Sequence, residues 1–144
     1  AKLNEQIRAL KMIWTQETAE FHGEFVDFSP IFSWPKPVQQ PHPPIYVGGT
    51  SKAALRRLCS LGDGWLPSAG LAVDNVLGAR EWLAANGRPD VPITIYGVGR
   101  DKETLAGYAH ADVDEVAFLL PSLPEPAAFR ELDALAELAE TLGS

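Results

Sequence analysis

The sequence predicts an α/β fold with a parallel sheet, because short apolar segments alternate with helical segments from residue 45 to the end. One of these segments, Val116–Leu120, is a continuous apolar run of the kind found in strands covered on both faces. Four strands and four helices in alternation fit either a small open α/β domain or half of a (β/α)8 barrel, since right-handed crossovers make successive strands parallel.

The first 44 residues have a different character. Residues 3–15 carry apolar side chains at helical spacing, and residues 20–34 are aromatic-rich with Gly23 near a bend, which predicts a helix followed by a hairpin. Residues 34–44 are rich in proline, which favours a stiff, extended connector. We therefore divide the chain into residues 1–44, with the helix, hairpin and connector, and residues 45–144, with four βα units.

The elements after residue 44 follow from their patterns. Apolar segments bounded by turn residues predict the strands, and capping residues such as Asp101 and the Asn86-Gly87 pair mark helix ends. The predicted strands are 45–47, 64–67, 93–98 and 116–120. The predicted helices are 51–61, 73–86, 101–110 and 125–142.

Composition limits the classes of partner. The net charge is −7 and the pI is about 4.9, without a cluster of Lys and Arg, which argues against nucleic acid and anionic membranes as partners. The one cysteine, Cys59, cannot form an internal disulfide, and its helical spacing with Leu55 and Leu58 predicts a buried, inert thiol. We expect a cytoplasmic protein, and the absence of an initiator methionine suggests a fragment of a longer chain.

The turn after the first predicted strand is the best candidate for a binding site. It reads Gly48-Gly49-Thr50-Ser51 and leads into a helix that starts at Thr50 or Ser51. Glycines allow a phosphate to approach the backbone, and a helix start offers unpaired N–H groups. An ordinary capped turn explains the same residues, and the local sequence alone favours that simpler interpretation.

Other catalytic patterns are absent. His22, His42 and His110 are scattered without metal-ligand spacing, so no metal site is expected. Asp63, between two glycines, is interpreted as a turn residue that bonds its own backbone. The acidic run Asp112, Asp114 and Glu115 is interpreted as a solvated loop. No catalytic residue is named.

Several segments resemble one known family. The Pro-rich run 35–44 with the strand and turn 45–51, the Ala53–Arg57 helix and Leu61-Gly62-Asp63-Gly64-Trp65 resemble luciferase-like monooxygenases, and most closely the branch that uses the deazaflavin coenzyme F420. Residues 86–89, 93–97 and 112–118 are similar to that branch as well.

The resemblance implies a (β/α)8 barrel oxidoreductase, of which this chain is the C-terminal half with strands five to eight. It implies coenzyme F420, or alternatively FMN, together with a small organic substrate. The resemblance assigns the cofactor's phosphate to Gly48 and Gly49, and it extends to Thr50 and Ser51 more weakly. None of the three histidines matches the family's acid/base histidine.

Two other functions stay open: a non-catalytic cofactor-binding module and a self-associating structural unit. A half-barrel leaves its inner sheet face bare, so Val47, Leu66, Ile95 and Leu119, or their neighbours along the strands, are expected to face solvent. We therefore expect a homo-oligomer, or pairing with the missing N-terminal half.

Overall fold

The structure, a computed structural model, describes residues 1–142 as five helices and six strands. The helices are α1 (Lys2–Thr15), α2 (Lys52–Leu61), α3 (Val73–Ala85), α4 (Lys102–His110) and α5 (Glu125–Leu142). The strands are β1 (Thr18–His22), β2 (Asp27–Phe32), β3 (Tyr46–Gly48), β4 (Gly64–Leu66), β5 (Thr94–Tyr96) and β6 (Glu115–Ala117). Every predicted element is present; β4, β5 and β6 are shorter than the segments predicted for them, and β3 begins one residue later than predicted.

The four short strands are parallel. β3 pairs with β4, with Val47 opposite Trp65, and β5 pairs with β6, with Ile95 opposite Val116. A single parallel bridge between Trp65 and Ile93 joins the two pairs, so the strands lie in the order of the sequence. The prediction of an α/β fold with parallel strands is confirmed.

The N-terminal region forms a helix and an antiparallel hairpin. β1 and β2 pair from Thr18 with Phe32 to His22 with Asp27, and the N–H of Gly23 donates to the Val26 carbonyl across the turn. The hairpin thus lies about two residues earlier than predicted. α1 contacts α2, where Arg57 Nε donates to Asn4 Oδ1 at 2.8 Å. The division of the chain at residue 44 stays a prediction.

The core lies between the parallel strands and helices α2, α3 and α4. Its centre is formed by Leu58, Trp65, Leu83, Ile93 and Ile95, each no more than 1% exposed. Burying large apolar side chains is the main favourable term in folding, and each contributes about 1.5–3 kcal/mol. This packing fixes the direction of the strands and so positions the loops that follow them.

The prediction named Val47, Leu66, Ile95 and Leu119 or their neighbours as facing solvent, and for two of the four it is the neighbour that is exposed. Val47 and Ile95 are buried against the helices, while their neighbours Tyr46 and Tyr96 are 40% and 38% exposed. Leu119 is 68% exposed, as expected. Alternate residues of a strand point to opposite faces, so choosing the wrong phase exchanges the two sets.

Three smaller predictions also need correction. Asp63 bonds the backbone N–H of Ile45, far along the chain, rather than its own backbone. Asp114 is not merely solvated, because it accepts a hydrogen bond from the backbone N–H of Ile93 at 2.7 Å. Cys59 is partly exposed at the edge of the core rather than buried.

Candidate functional site

The glycine turn after β3 has a defined geometry. β3 ends at Gly48, and Gly49 follows with φ of +89°, a backbone conformation that glycine adopts without strain. The indole Nε1–H of Trp65 donates to the Gly49 carbonyl at 2.9 Å. Because Trp65 is itself 1% exposed, this hydrogen bond ties the turn to the core.

The helix that follows begins at the predicted place. Ser51 is the N-cap of α2, and its hydroxyl accepts a hydrogen bond from the N–H of Ala54 at 3.2 Å. The sequence left Thr50 and Ser51 as alternatives, and Ser51 is the cap. Among residues 1–142, the N–H groups of Lys52 and Ala53 then have no acceptor and stay available to a ligand.

The space around the two glycines is compatible with a phosphate. A Cβ on Gly48 would make only an ordinary contact with the Leu66 carbonyl at 3.5 Å, and one on Gly49 would lie 3.5 Å from the Cβ of Ala54. Apart from the residues next to each glycine in the chain, no heavy atom of the described residues comes closer, which leaves room for an anion at the backbone. The exposed Lys52 in the first turn of α2 adds a positive charge, and no sequence motif marks this lysine.

The loops after β4 and β5 lie at the same carboxyl edge of the strands as the glycine turn. The N–H of Gly70, after β4, donates to the Tyr96 carbonyl at 3.0 Å, and the N–H of Gly97, after β5, donates to the Ala117 carbonyl at 2.8 Å. Ser68 and Leu119 are exposed beside them. The edge therefore combines backbone turns and apolar surface with few titratable groups.

A cavity of about 420 Å³ lies beside the turn, between α2 and α3. Thr50 and Lys52 form one wall, and Asn75 and Trp82 of α3 line the other. Asp74 also lines it, so the cavity carries charges of both signs. The cavity could not be predicted from the sequence, because its walls come from two helices whose packing is a tertiary property.

The histidines lie away from the turn. His22, on the hairpin, bonds Asp27 through Nδ1 at 2.7 Å, and this hydrogen bond raises the pKa of His22 above its ordinary value. His42 bonds the Pro43 carbonyl and packs beside the ring of Trp14. His110 is exposed at the end of α4. Within residues 1–142, no group of three or more His, Cys, Asp or Glu could hold a metal ion.

The parallel strands and the helices between them define an α/β protein, and proteins of this architecture generally have their ligand sites at the carboxyl edge of the sheet. A sequence model of the luciferase-like monooxygenase family matches residues 1–106. The chain belongs to this family.

Several curated relatives share this similarity. An uncharacterised protein of Mycobacterium tuberculosis is 38% identical over 137 residues, which cover 90% of this chain and 48% of that protein. The FMNH2-dependent dimethylsulfone monooxygenase of Pseudomonas putida is 38% identical over 114 residues, covering 76% of this chain and 31% of that protein. The F420-dependent glucose-6-phosphate dehydrogenase of Kineococcus radiotolerans is 32% identical over 95 residues, covering 62% of this chain and 28% of that protein.

The chain spans about half the length of the mycobacterial relative and less of the other two. The names of the relatives place flavin- and F420-dependent oxidoreductases in the family, and the chain is similar to both kinds. Across its described residues, none of the helices has the length and apolarity needed to cross a membrane.

Proposed function

We propose that this chain is the cofactor-binding half of a flavin- or F420-dependent oxidoreductase, and that Gly48, Gly49, Thr50 and Ser51 hold the cofactor's phosphate. The observation that carries the proposal is the turn itself. The Trp65 indole N–H donates a hydrogen bond to the Gly49 carbonyl at 2.9 Å. The turn leads into α2, whose first residues lie at the carboxyl edge of the parallel strands. A helix start with a glycine turn before it is a general anion-binding arrangement.

The residues present fit such a cofactor. The free N–H groups of Lys52 and Ala53 would donate to phosphate oxygens, and the Lys52 ammonium would balance part of their charge. The exposed side chains of Tyr96 and Leu119, at and after the carboxyl ends of β5 and β6, would keep water away from a ring system. The cofactor, when bound, supplies hydride transfer to or from a small organic substrate. Coenzyme F420 is our first choice, and FMN is the alternative, since the chain has relatives named for each.

The half-barrel architecture is part of the proposal. Four parallel strands in sequence order, with helices packed on one face, are what strands five to eight of a (β/α)8 barrel would look like. Completing such a barrel requires a second half, supplied by a second copy or by the missing N-terminal half. The single cysteine fits a reducing compartment, so a cytoplasmic location also belongs to the proposal.

The proposal names no catalytic residue, since the described histidines lie away from the turn. The catalytic acid or base would then come from the other half. A non-catalytic binding module is the rival function, and it would bind a cofactor without turnover even when the barrel is complete.

Fluorescence titration with FMN and with F420 tests the phosphate site. Gly48→Ala is the variant least expected to disturb the fold. Its added methyl meets nothing closer than 3.5 Å, and Gly48 lacks the positive φ of Gly49. We expect it to weaken cofactor binding about tenfold, as the loss of one hydrogen bond to a charged group would. Gly78→Ala, in open space on α3, is the control. Equal affinity of the wild type and Gly48→Ala for both cofactors would remove the turn from the site.

A further inference from the structure

The cavity between α2 and α3, of about 420 Å³, combines apolar walls with two charged residues. Its apolar residues include Leu55 and Trp65 of the core and the partly buried Trp82. Its charged residues are Lys52 and Asp74. A volume of this size, with apolar walls and a few polar groups, is typical of sites that bind small organic molecules.

The two charges of this cavity are not paired. Lys52 and Asp74 are both exposed, and among residues 1–142 neither forms an ion pair with the other or with any other residue. Since the cavity carries one unpaired cation and one unpaired anion, its charges are complementary to a small molecule that carries both signs. Free α-amino acids are molecules of this kind.

Lys52 is unfavourable for the helix on which it lies. It is the first residue of α2, directly after the N-cap Ser51, and the first turn of α2 contains no acidic residue. A positive charge at this end of a helix is repelled by the helix dipole, so helix stability does not explain the lysine. A phosphate at the glycine turn would account for Lys52 as well, so a separate argument for the cavity must come from another residue.

Gly78 supplies that argument. It lies in the interior of α3 (Val73–Ala85), where glycine is less stable than alanine. Apart from the backbone of its own helix, a Cβ at Gly78 would meet no heavy atom within 4 Å, so packing does not require a glycine there. Gly78 lines the cavity, and a side chain at this position would take up part of its space. A residue that weakens its own helix without a packing reason is expected where a protein keeps room for a ligand.

We propose that this cavity binds a free α-amino acid with an apolar side chain. The Lys52 ammonium pairs with the carboxylate of the amino acid, and the Asp74 carboxylate pairs with its ammonium group. The apolar side chain lies against Gly78 and Trp82. The Lys52 ammonium has three N–H donors, so the same lysine can also serve a phosphate at the turn. The site goes beyond the proposed function and needs no cofactor.

Binding of L-phenylalanine to the chain without cofactor tests the chemistry of the proposal, with isothermal titration calorimetry as the measurement. Phenethylamine lacks the carboxylate of phenylalanine, and hydrocinnamate lacks its ammonium group. We expect each analogue to bind at least about tenfold more weakly than L-phenylalanine, because each leaves one charge of the cavity unpaired. If L-phenylalanine does not bind at millimolar concentration, or binds no more tightly than one of these analogues, the proposal is overturned.

Two variants test whether this binding occurs in the cavity. Asp74→Asn removes the partner of the ammonium group, and Asp133→Asn, exposed on α5, is the control with the same change of charge. Gly78→Leu fills the cavity, and Gly99→Leu is its control, since a Cβ at Gly99 also meets no heavy atom within 4 Å. We expect Asp74→Asn and Gly78→Leu each to weaken the binding of L-phenylalanine at least about tenfold, and both controls to match the wild type.

Thermal unfolding of each variant checks that it folds. Gly78→Leu should unfold at no lower temperature than the wild type, because leucine favours a helix more than glycine does. Binding of L-phenylalanine that is unchanged in a folded Asp74→Asn or Gly78→Leu would overturn the assignment to this cavity.

Titration with FMN and F420 distinguishes this site from the cofactor site. Gly78→Leu should leave both affinities unchanged, since the phosphate is proposed at the glycine turn and not at α3. A loss of cofactor affinity in Gly78→Leu would assign the cavity to the cofactor and overturn the proposal of a separate site. A chain that binds L-phenylalanine as expected but binds neither cofactor would overturn the proposed function alone.

Discussion

The side chain and backbone of Asp63 hold the backbone of Ile45 from both sides. Asp63 Oδ2 accepts the Ile45 N–H at 2.8 Å, and the Asp63 N–H donates to the Ile45 carbonyl at 2.8 Å. Asp114 and Ile93 repeat the arrangement, with distances of 2.7 Å and 3.0 Å. In both pairs the aspartate stands just before one strand and holds the residue just before its parallel neighbour. These contacts set the register at the amino ends, opposite the candidate site.

Removing the carboxylate of Asp63 should therefore destabilise the fold without touching the site. We expect Asp63→Ala to lower the free energy of unfolding by about 1–3 kcal/mol, because it leaves the Ile45 N–H without its charged acceptor. Asp63→Asn keeps an oxygen acceptor and should cost less. Urea unfolding followed by circular dichroism measures both. If Asp63→Ala unfolds at the wild-type urea concentration, this contact does not set the register.

Arg88 should be the residue that secures the end of α2. Its guanidinium donates to the carbonyls of Cys59 at 2.9 Å and Gly62 at 3.1 Å, in the last turn, where carbonyls lack helical partners. We expect Arg88→Ala to cost about 2–3 kcal/mol, since hydrogen bonds to a charged group are lost and a favourable charge at the helix end is removed.

Arg88→Lys separates geometry from charge. Lysine keeps the charge but cannot reach two carbonyls as a planar fork does, so it should recover less than half of the loss. Arg56→Ala, exposed on the same helix, is the control and should lie within about 0.5 kcal/mol of the wild type. Full recovery by Arg88→Lys would show that only the charge matters.

The helices, the strands and the position of the glycine turn could be predicted from the sequence, because capping and turn residues are local signals. Asp101 and Ser51 are both N-caps as their types suggest, and Asn86 ends α3. The contacts of Asp63 and Asp114 could not be predicted in the same way. Their partners lie 18 and 21 residues away, and only the parallel pairing brings them together.

The face to which each strand residue points could not be predicted, for a different reason. Strand patterns reveal a buried face when polar residues alternate with apolar ones. In β3 and β5, Tyr46, Val47, Ile95 and Tyr96 are all apolar or aromatic, so the sequence does not say which side meets the helices. The cavity between α2 and α3 is likewise a result of helix packing, for which Lys52 and Trp82 carry no local signal.

The hairpin should loosen from α1 in acid, because the carboxylate of Glu5 holds its turn. Glu5 accepts hydrogen bonds from the backbone N–H groups of Phe25 at 2.8 Å and Val26 at 3.1 Å, and the bond from Phe25 is the main reason that the pKa of Glu5 is lowered. A pKa lowered by folding adds stability above the ordinary value of 4.5, and this is lost as the pH falls through the lowered value.

Unfolding temperatures of the wild type and Glu5→Gln measure this effect. We expect the wild type to be the more stable at neutral pH and the difference to vanish once Glu5 is protonated. Gly23→Ala should also destabilise the hairpin, since a Cβ on Gly23 would collide with the Glu5 carboxylate and the Phe21 ring. A difference between wild type and Glu5→Gln that is constant from neutral to acid pH would contradict the assignment.

Trp65 should link the stability of the core to the affinity of the candidate site. Trp65→Phe keeps an aromatic ring in the core but removes the Nε1–H that holds the Gly49 carbonyl at 2.9 Å. We expect a loss of about 1–3 kcal/mol in stability, from the unpaired carbonyl and the smaller ring. We also expect weaker binding of FMN or F420, because the turn is no longer held in one conformation. Trp82→Phe shrinks a partly buried ring of the neighbouring cavity and is the control, which should leave the turn in place. Urea unfolding measures the stability of both variants, and cofactor fluorescence measures their affinity. If Trp65→Phe binds cofactor as tightly as the wild type, the indole stabilises the core without ordering the turn.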